Sequence, residues 1–165
     1  MTQVMRDLGF LLLKVAIIIL AFLIIFTFVF GLLRYAEPSM TPSVKDGDLV
    51  IFHRYNDSGY AAKDAIVFEF EGEKQIRRVI AVQGDTVDIT EEGLVINGAP
   101  QQEPGIGQKT ERYAEGVDFP LTVPDGHVFV LADYRTGAAD SRIYGPVKIE
   151  NTLGKVMAVL RLRDI

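Results

Sequence analysis

The run VAIIILAFLIIFTFVFGLL, residues 15–33, divides the chain into two unlike parts. It has nineteen residues without a charge, and a helix needs about 20 apolar residues to cross the hydrocarbon core of a bilayer. The apolar region of a cleaved signal peptide is shorter and ends at a small-x-small site. Here Arg34 and Tyr35 follow instead. The sequence therefore predicts one uncleaved transmembrane anchor over residues 15–34, behind an N-terminal segment of residues 1–14.

The charges on either side of this run bear on its orientation and on the class of ligand. Arg6 and Lys14 precede the run and Arg34 follows it, which favours a cytoplasmic N-terminus and an extracytoplasmic domain over residues 35–165. That domain carries 14 Lys and Arg against 21 Asp and Glu, a net charge of −7. Such a charge argues against nucleic acid, whose phosphates require a basic surface. The chain has no cysteine and two histidines, so we expect no disulfide, metal site or cofactor.

The extracytoplasmic part is predicted to be mainly β. Short β-rich runs punctuated by Gly, Pro and Asp indicate strands at 48–55, 65–70, 76–82, 85–89, 93–98, 127–132 and 154–163. The pair Asn97-Gly98 predicts a two-residue hairpin turn, since both positions tolerate positive φ. Residues 100–120 show no pattern and are predicted to be a long loop. The expected fold is a mainly antiparallel β domain behind a single N-terminal transmembrane helix.

Two adjacent arginines lie in the third of these strands, IRRVIAV at residues 76–82. Alternate side chains of a strand point to opposite faces, so Arg77 and Arg78 face opposite ways. A buried guanidinium needs a carboxylate partner. We therefore expect at least one of the two arginines to be buried and paired with an acidic residue.

Five blocks of sequence behind the apolar run resemble a known family. They are SMTPSVKDGD (39–48), KDAIVFEF (63–70), RRVIAVQGDTV (77–87), GLVINGAP (93–100) and LADYRTGAADSRIYGPV (131–147). Their order and content are similar to those of the type I signal peptidases, which are membrane-anchored serine peptidases that remove signal peptides from exported proteins. The resemblance extends over nearly the whole chain. It implies a signal-peptidase-like fold, a plasma-membrane location, and a lipid bilayer and exported preproteins as partners.

The resemblance assigns Ser39 as the nucleophile but removes its base. In the family a lysine takes the proton from the serine, and a second serine orients the lysine. The matching positions here are Arg77 and Ala138. Lysine starts near pKa 10.4 and burial lowers it, whereas arginine starts at about 12.5–13.8. Bringing arginine near pH 8 requires about 5 units, or roughly 7 kcal/mol. Arg77 is therefore not expected to deprotonate Ser39.

Other bases are conceivable in the sequence. Lys74 lies three residues before Arg77, on the opposite face of a regular strand, and a β-bulge would bring it round. His53 or His127 could imitate a Ser-His pair, although neither aligns with the position of the base. Ser39 is thus either a residual nucleophile or a remnant of ancestry.

The remaining candidate site residues have supporting roles. Glu37 would oppose negative charge developing on a substrate oxygen, or would pair with Arg77. By resemblance Asp133 and Arg135 brace the site, and Arg78, Asp140 and Arg142 are interpreted as one structural ion-pair cluster. Three apolar side chains line a small substrate pocket or belong to the ordinary core: Met40, Val44 and Ile76.

Two functions follow from these features. In the first, the protein keeps the signal-peptidase cleft, binds an exported preprotein or a pilin signal region, and assists assembly with weak or no proteolysis. Family lineages that lack dyad residues and take part in pilus assembly provide the analogy. In the second, it is an active signal peptidase with a non-standard base. The joint loss of the lysine and its orienting serine favours the first function, and the presence of Ser39 favours the second.

Overall fold

The computed structural model describes residues 2–54 and 59–161. Its first element, α1, spans Thr2–Val29. Within it, Gln3–Val29 is long and apolar enough to cross a membrane, and the most apolar part of this stretch is not buried by the rest of the protein. An apolar helix that no protein surface covers is suited to lipid as its surroundings.

The helix is placed differently from the anchor expected at residues 15–34. It begins at Thr2 and ends at Val29, and the chain continues into β1, Phe30–Arg34. These five residues pair antiparallel with β2, Leu49–His53, so their backbone groups bond to a neighbouring strand. This pairing ends the helix earlier than the apolar composition indicates.

The remaining elements are short strands with two small helical turns. The strands after β2 are β3 Ala65–Phe70, β4 Glu73–Val82, β5 Thr86–Thr90, β6 Gly93–Ile96, β7 Ala99–Pro100, β8 Leu121–Thr122, β9 His127–Leu131, β10 Val147–Lys148 and β11 Thr152–Leu160. A short helix α2 spans Ser141–Tyr144, and 3-10 turns span Pro38–Met40 and Ile149–Asn151.

The strands form two antiparallel sheets. The larger has the order β1-β2-β11-β3-β4-β9-β10 and the smaller the order β7-β6-β5-β8. Asn97 and Gly98 form the predicted two-residue turn between β6 and β7, with φ of 51° and 78°. The predicted mainly antiparallel β domain behind one apolar helix is confirmed.

Strand boundaries differ from the sequence prediction in a few places. β4 begins at Glu73 rather than at residue 76, because its polar first residues pair with β3 even though they show no apolar alternation. Residues 101–120 contain neither helix nor strand, as predicted. Residue 55 of one predicted strand and residues 162–163 of another lie outside the described residues.

One buried apolar cluster fixes the segment that carries Ser39. The cluster contains Tyr35, Met40, Val44, Val50, Phe52, Val67 and Ile76. Burying a side chain of this size contributes about 1.5–3 kcal/mol. Because Tyr35 and Met40 are anchored in the core on either side of Ser39, its hydroxyl is held in one place against β4.

Candidate active site

Ser39 lies in the 3-10 turn Pro38–Met40, and three residues separate this turn from the end of β1. Pro38 occupies the first turn position, where its fixed φ favours helical geometry and its missing N–H is not needed. The amide of Thr41 closes the turn on the carbonyl of Pro38 at 3.0 Å. The carbonyl of Ser39 accepts a hydrogen bond from the amide of Tyr134 at 2.8 Å. The turn is therefore held between the first strand and the segment after β9.

The Ser39 hydroxyl is buried and contacts two side chains. Its Oγ accepts a hydrogen bond from Nη1 of Arg77 at 2.9 Å and lies 2.8 Å from the Tyr35 hydroxyl. The residue is only 4% exposed. The resemblance aligned Arg77 with the general base, and the fold indeed brings its side chain to the serine oxygen. Arg77, however, acts here as a hydrogen-bond donor.

Arg77 is fully buried and engages Glu37 through both terminal nitrogens. Nη2 lies 2.9 Å from Oε1 and Nη1 lies 3.2 Å from Oε2 of Glu37. Nε donates to the carbonyl of Ala139 at 2.9 Å, and Nη1 donates to the carbonyl of Ile76 at 2.7 Å. The predicted ion pair between Glu37 and Arg77 is therefore present, with bidentate geometry.

The two charges reinforce each other's ionisation. Burial by itself lowers the pKa of the Arg77 guanidinium, but the hydrogen bonds and charge of Glu37 outweigh it and hold that pKa above its ordinary value. Partial burial raises the pKa of Glu37, but Arg77 outweighs it and the pKa lies below its usual range. Both groups are thus charged at neutral pH, and neither is a useful base for Ser39.

Tyr35 is a site residue that sequence reasoning missed. Its hydroxyl lies 2.8 Å from Oγ of Ser39 and donates to Oε2 of Glu37 at 3.4 Å. Burial raises its pKa to about 12, so the phenol is neutral at physiological pH. Its position four residues before Ser39 is the only sequence signal, and this spacing has no meaning outside the folded turn.

The other candidate bases do not reach Ser39. Pairing of β3 with β4 is regular along its whole length, so no bulge turns Lys74 onto the face of Arg77, and Lys74 is exposed. His53 lies in β2, and Nδ1 of His127 donates to a carbonyl of its own turn. Within the part of the chain that the structure describes, no lysine or histidine side chain hydrogen-bonds to the serine hydroxyl.

Arg78 pairs with a different residue from the one expected. It forms a bidentate pair with Asp133, at 2.7 Å from Nε to Oδ1 and 2.6 Å from Nη2 to Oδ2. The predicted single cluster of Arg78 with Asp140 and Arg142 is therefore wrong. The register explains the difference, because Arg78 lies opposite Leu131 and Asp133 follows two residues later.

Asp140 and Arg142 form a separate buried pair. Asp140 accepts from Nε and Nη2 of Arg142 at 2.9 and 2.8 Å, from the Arg142 amide at 3.1 Å, and from the Ala132 amide at 3.1 Å. It also caps the short helix α2.

Among residues 2–54 and 59–161, no group of three His, Cys, Asp or Glu side chains is placed to hold a metal ion.

The segment 132–142 is joined to the long loop by two buried arginines. Arg135 pairs with Glu103 at 2.6 Å and also contacts the hydroxyl of Thr110. The guanidinium of Arg142 lies 4.6 Å from the ring centroid of Tyr113. The predicted bracing role of Arg135 thus has a concrete form, although its loop partners carried no signal in the sequence.

The proposed pocket residues belong to the core in this arrangement. Met40 and Ile76 are fully buried and Val44 is 2% exposed. All three lie in the cluster that anchors the Ser39 segment. Contact of a substrate side chain with them stays a prediction, and it would require the cluster to open.

Ala138 lies where the orienting hydroxyl is expected from the resemblance. The residue is buried, and its carbonyl accepts from the Tyr113 hydroxyl at 3.1 Å. The next residue, Ala139, supplies the carbonyl that holds Nε of Arg77. The residue next to the position of the expected hydroxyl thus contacts the residue at the position of the expected base.

Comparisons with known proteins agree with the motif order. The family model described as "Signal peptidase, peptidase S26" matches residues 8–161. Signal peptidase I of Bacillus caldolyticus is 33% identical over 142 residues, covering 78% of each chain. Signal peptidase IB of Staphylococcus aureus is 31% identical over 135 residues, covering 72% of this chain and 71% of the relative.

Similarity also extends to a plastid protein and to a solved structure. Thylakoidal processing peptidase 1 of Arabidopsis thaliana is 32% identical over 114 residues, which are 66% of this chain and 30% of that protein. A crystal structure of a signal peptidase I from Enterococcus faecalis matches with a TM-score of 0.51 at 28% identity, covering 62% of this chain and all of that one. With its single apolar helix fitting a single-pass membrane protein, the chain belongs to the peptidase S26 family of signal peptidases.

Proposed function

We propose that this protein binds the signal region of exported preproteins at the outer face of the plasma membrane and hydrolyses them weakly or not at all. The observation that carries the proposal is the charged pair of Arg77 and Glu37 at the hydroxyl of Ser39. A serine hydroxyl becomes an effective nucleophile when a neighbouring base removes its proton. At this site the base position holds a cation that donates a hydrogen bond.

The electrostatics of the site disfavour the reaction at a second step. Hydrolysis through Ser39 would place negative charge on the oxygen of the scissile carbonyl. The Glu37 carboxylate, two residues from Ser39, repels such charge, and the cation that could offset it is already engaged by Glu37. The ion pair of Glu37 and Arg77 therefore weakens both the activation of the Ser39 hydroxyl and the stabilisation of the negatively charged intermediate.

The peptide-binding half of the proposal is supported by an open strand edge. β4 pairs with β3 from Glu73 to Arg78, and with β9 from Arg78 to Val82. Within the described residues no strand pairs with the other edge of 73–77, and the accessible part of that edge is 73–75, since Ile76 and Arg77 are fully buried. An extended peptide can add to such an edge through backbone hydrogen bonds. A peptide bound along 73–75 would end near Arg77, which contacts the Ser39 hydroxyl.

The experiment is a cleavage assay with the full chain in detergent. An exported precursor and a pilin precursor are each incubated with the protein and with its Ser39→Ala variant. Signal peptidase I of Bacillus caldolyticus provides the positive control. We expect no product above the Ser39→Ala level, together with co-purification of the precursor. Product that depends on Ser39 and forms at a rate comparable to that of the positive control would overturn the proposal.

One observation favours a second candidate, an active signal peptidase with a non-standard base. Tyr35 bridges the hydroxyl of Ser39 and the carboxylate of Glu37, at 2.8 and 3.4 Å. These two hydrogen bonds form a path along which the serine proton could pass through the Tyr35 phenol to the Glu37 carboxylate. Under this alternative, Tyr35→Phe would abolish a cleavage that the unmodified chain performs. Under our proposal, both forms are equally inactive.

A further inference from the structure

We propose that Arg77 and Ser39 bind the terminal carboxylate of a signal peptide that another peptidase has already cleaved, and that Glu37 is a built-in, displaceable substitute for that carboxylate. This inference rests on the proposed function and names its ligand. The site would then retain the product of signal peptide cleavage in preference to the intact precursor.

A carboxylate already occupies the site. Both oxygens of Glu37 face the two terminal nitrogens of Arg77, at 2.9 and 3.2 Å. This paired geometry is the one in which guanidinium and carboxylate groups bind most strongly. The Tyr35 hydroxyl and the Ser39 hydroxyl lie around the same nitrogens and oxygens. Any ligand carboxylate that replaced Glu37 would find the same donors in place.

Exposure decides which partner of the pair can leave. The Arg77 side chain is 0% exposed, whereas that of Glu37 is 37% exposed. The carbonyls of Ala139 and Ile76 hold the guanidinium in position independently of Glu37. Glu37 can therefore turn into solvent while the buried cation stays, and the vacated side of the cation is then open to water or to another anion. The site accordingly favours another anion over water when Glu37 leaves.

The strand edge directs a peptide end towards this cation. A peptide added along the accessible residues 73–75 of β4 would have its end directed towards Arg77, which lies two positions further along the strand and is fully buried. Cleaved signal peptides end in a small-x-small sequence and carry a new carboxylate at that end. Met40 and Ile76 are fully buried in the cluster beside Ser39, so a small terminal side chain requires less opening of this packing than a large one. A small final residue with a free carboxylate therefore fits the site.

An uncleaved precursor lacks the decisive group. It would present a neutral peptide carbonyl at the same point, and displacing Glu37 would leave Arg77 without an anion. The net charge of the chain is −5, so general attraction does not favour an acidic peptide over a neutral one. A preference for the free acid would therefore report this particular site.

The test compares two forms of one peptide on the full chain in detergent. A fluorescent decapeptide ending in Ala-Gln-Ala is made as the free acid and as the carboxamide, and binding is followed by fluorescence anisotropy. We expect the acid to bind at least tenfold more tightly than the amide. Glu37→Gln should raise the affinity for the acid several-fold and leave that for the amide within twofold, because the internal competitor loses its charge.

Matched variants separate the site from general charge effects. Glu150→Gln removes a carboxylate from an exposed residue elsewhere and should leave both affinities unchanged. Arg77→Lys keeps the charge but loses the paired geometry, and should reduce the preference for the acid. Arg77→Met should abolish it, and Arg112→Met, at an exposed arginine, should not change it.

The outcomes distinguish this inference from the function on which it rests. Equal binding of acid and amide, without cleavage of precursor, would overturn the carboxylate site and leave the binding function standing. Ser39-dependent cleavage at a rate comparable to that of the positive control would overturn the proposed function, even if the free acid were preferred. Binding of neither peptide would overturn the carboxylate site.

Discussion

Two buried arginine–carboxylate pairs in this protein have similar chemistry and opposite surroundings. Arg77 and Arg142 are 0% and 2% exposed, but their partners Glu37 and Asp140 are 37% and 0% exposed. The first pair is open to solvent on its acidic side, and the second is closed on both. The difference indicates that a buried guanidinium can be either a binding group or a structural brace, depending on whether its anion can leave.

The hydrogen bonds of the two carboxylates agree with this distinction. Asp140 accepts two backbone amides in addition to its arginine, those of Ala132 and Arg142. Among the described residues, Glu37 interacts with the side chains of Arg77, Tyr35 and Ser39. Backbone amides belong to the fold and do not move separately, so the closed pair is part of the scaffold. The open pair depends on one exposed side chain.

The largest expected effect comes from dismantling the open pair. The triple variant Glu37→Ser, Arg77→Lys, Ala138→Ser supplies an amine and a hydroxyl to orient it, and removes the carboxylate that would keep the amine charged. A general base contributes about 10²–10⁴-fold to such reactions. We expect precursor cleavage to rise by about 10²-fold or more, measured as the initial rate of product formation in detergent.

The controls for this gain keep or remove one group each. The double variant Arg77→Lys, Ala138→Ser, which retains Glu37, should gain much less activity, because the carboxylate stabilises the protonated amine of the new lysine. Adding Ser39→Ala to the triple variant should abolish the activity. Arg142→Lys in the closed pair should produce none. If the triple variant cleaved no faster than the unmodified chain, the open pair could not be the reason for its inactivity.

The second prediction concerns stability and sets the two anions against each other. Removing one partner of a buried pair costs about 3–5 kcal/mol, so Asp140→Ala should lower the free energy of unfolding by that amount. Glu37→Ala should cost about 1 kcal/mol or less, because water reaches the place of a partly exposed carboxylate. Urea unfolding followed by tyrosine fluorescence measures both, since the chain has no tryptophan. Equal losses in the two variants would refute the distinction between open and closed pairs.

The sequence predicted the ionic partner of Arg77 better than that of the adjacent Arg78. Strand alternation places Arg77 and Arg78 on opposite faces, and an acidic residue beside Ser39 is a natural partner for the cation at the base position. The partner of Arg78 was mistaken, because it depends on the register of β4 against β9. No local pattern fixes that register.

Other contacts were missed for the same physical reason. Tyr35 reaches Ser39 only through a turn whose geometry depends on the buried cluster around it. Glu103 and Tyr113 lie in a loop without periodicity, and they meet Arg135 and Arg142 across a separation of about thirty residues in sequence. Periodicity and turn chemistry therefore gave the sheets, whereas the partners of buried charges required the three-dimensional fold.

The smallest effect expected is a pH dependence confined to the open pair. The pKa of Glu37 is lowered in the folded protein because Arg77 outweighs the effect of partial burial. Its contribution to stability is therefore present above the unfolded pKa of about 4.3, and is lost as pH falls through the lower folded pKa. Since the side chain is 37% exposed, solvent screening limits this contribution to about 0.5 kcal/mol.

Glu37→Gln isolates that contribution. The difference in unfolding free energy between the unmodified chain and Glu37→Gln should be constant from pH 7 to about pH 5.5 and shrink below about pH 4.3. Glu150→Gln, at an exposed position, controls for the loss of one charge and should give a difference near zero throughout. A Glu37→Gln difference that grew as the pH fell would mean that the carboxylate is destabilised by the fold. Glu37 would then be a strained group rather than the exchangeable anion of the open pair.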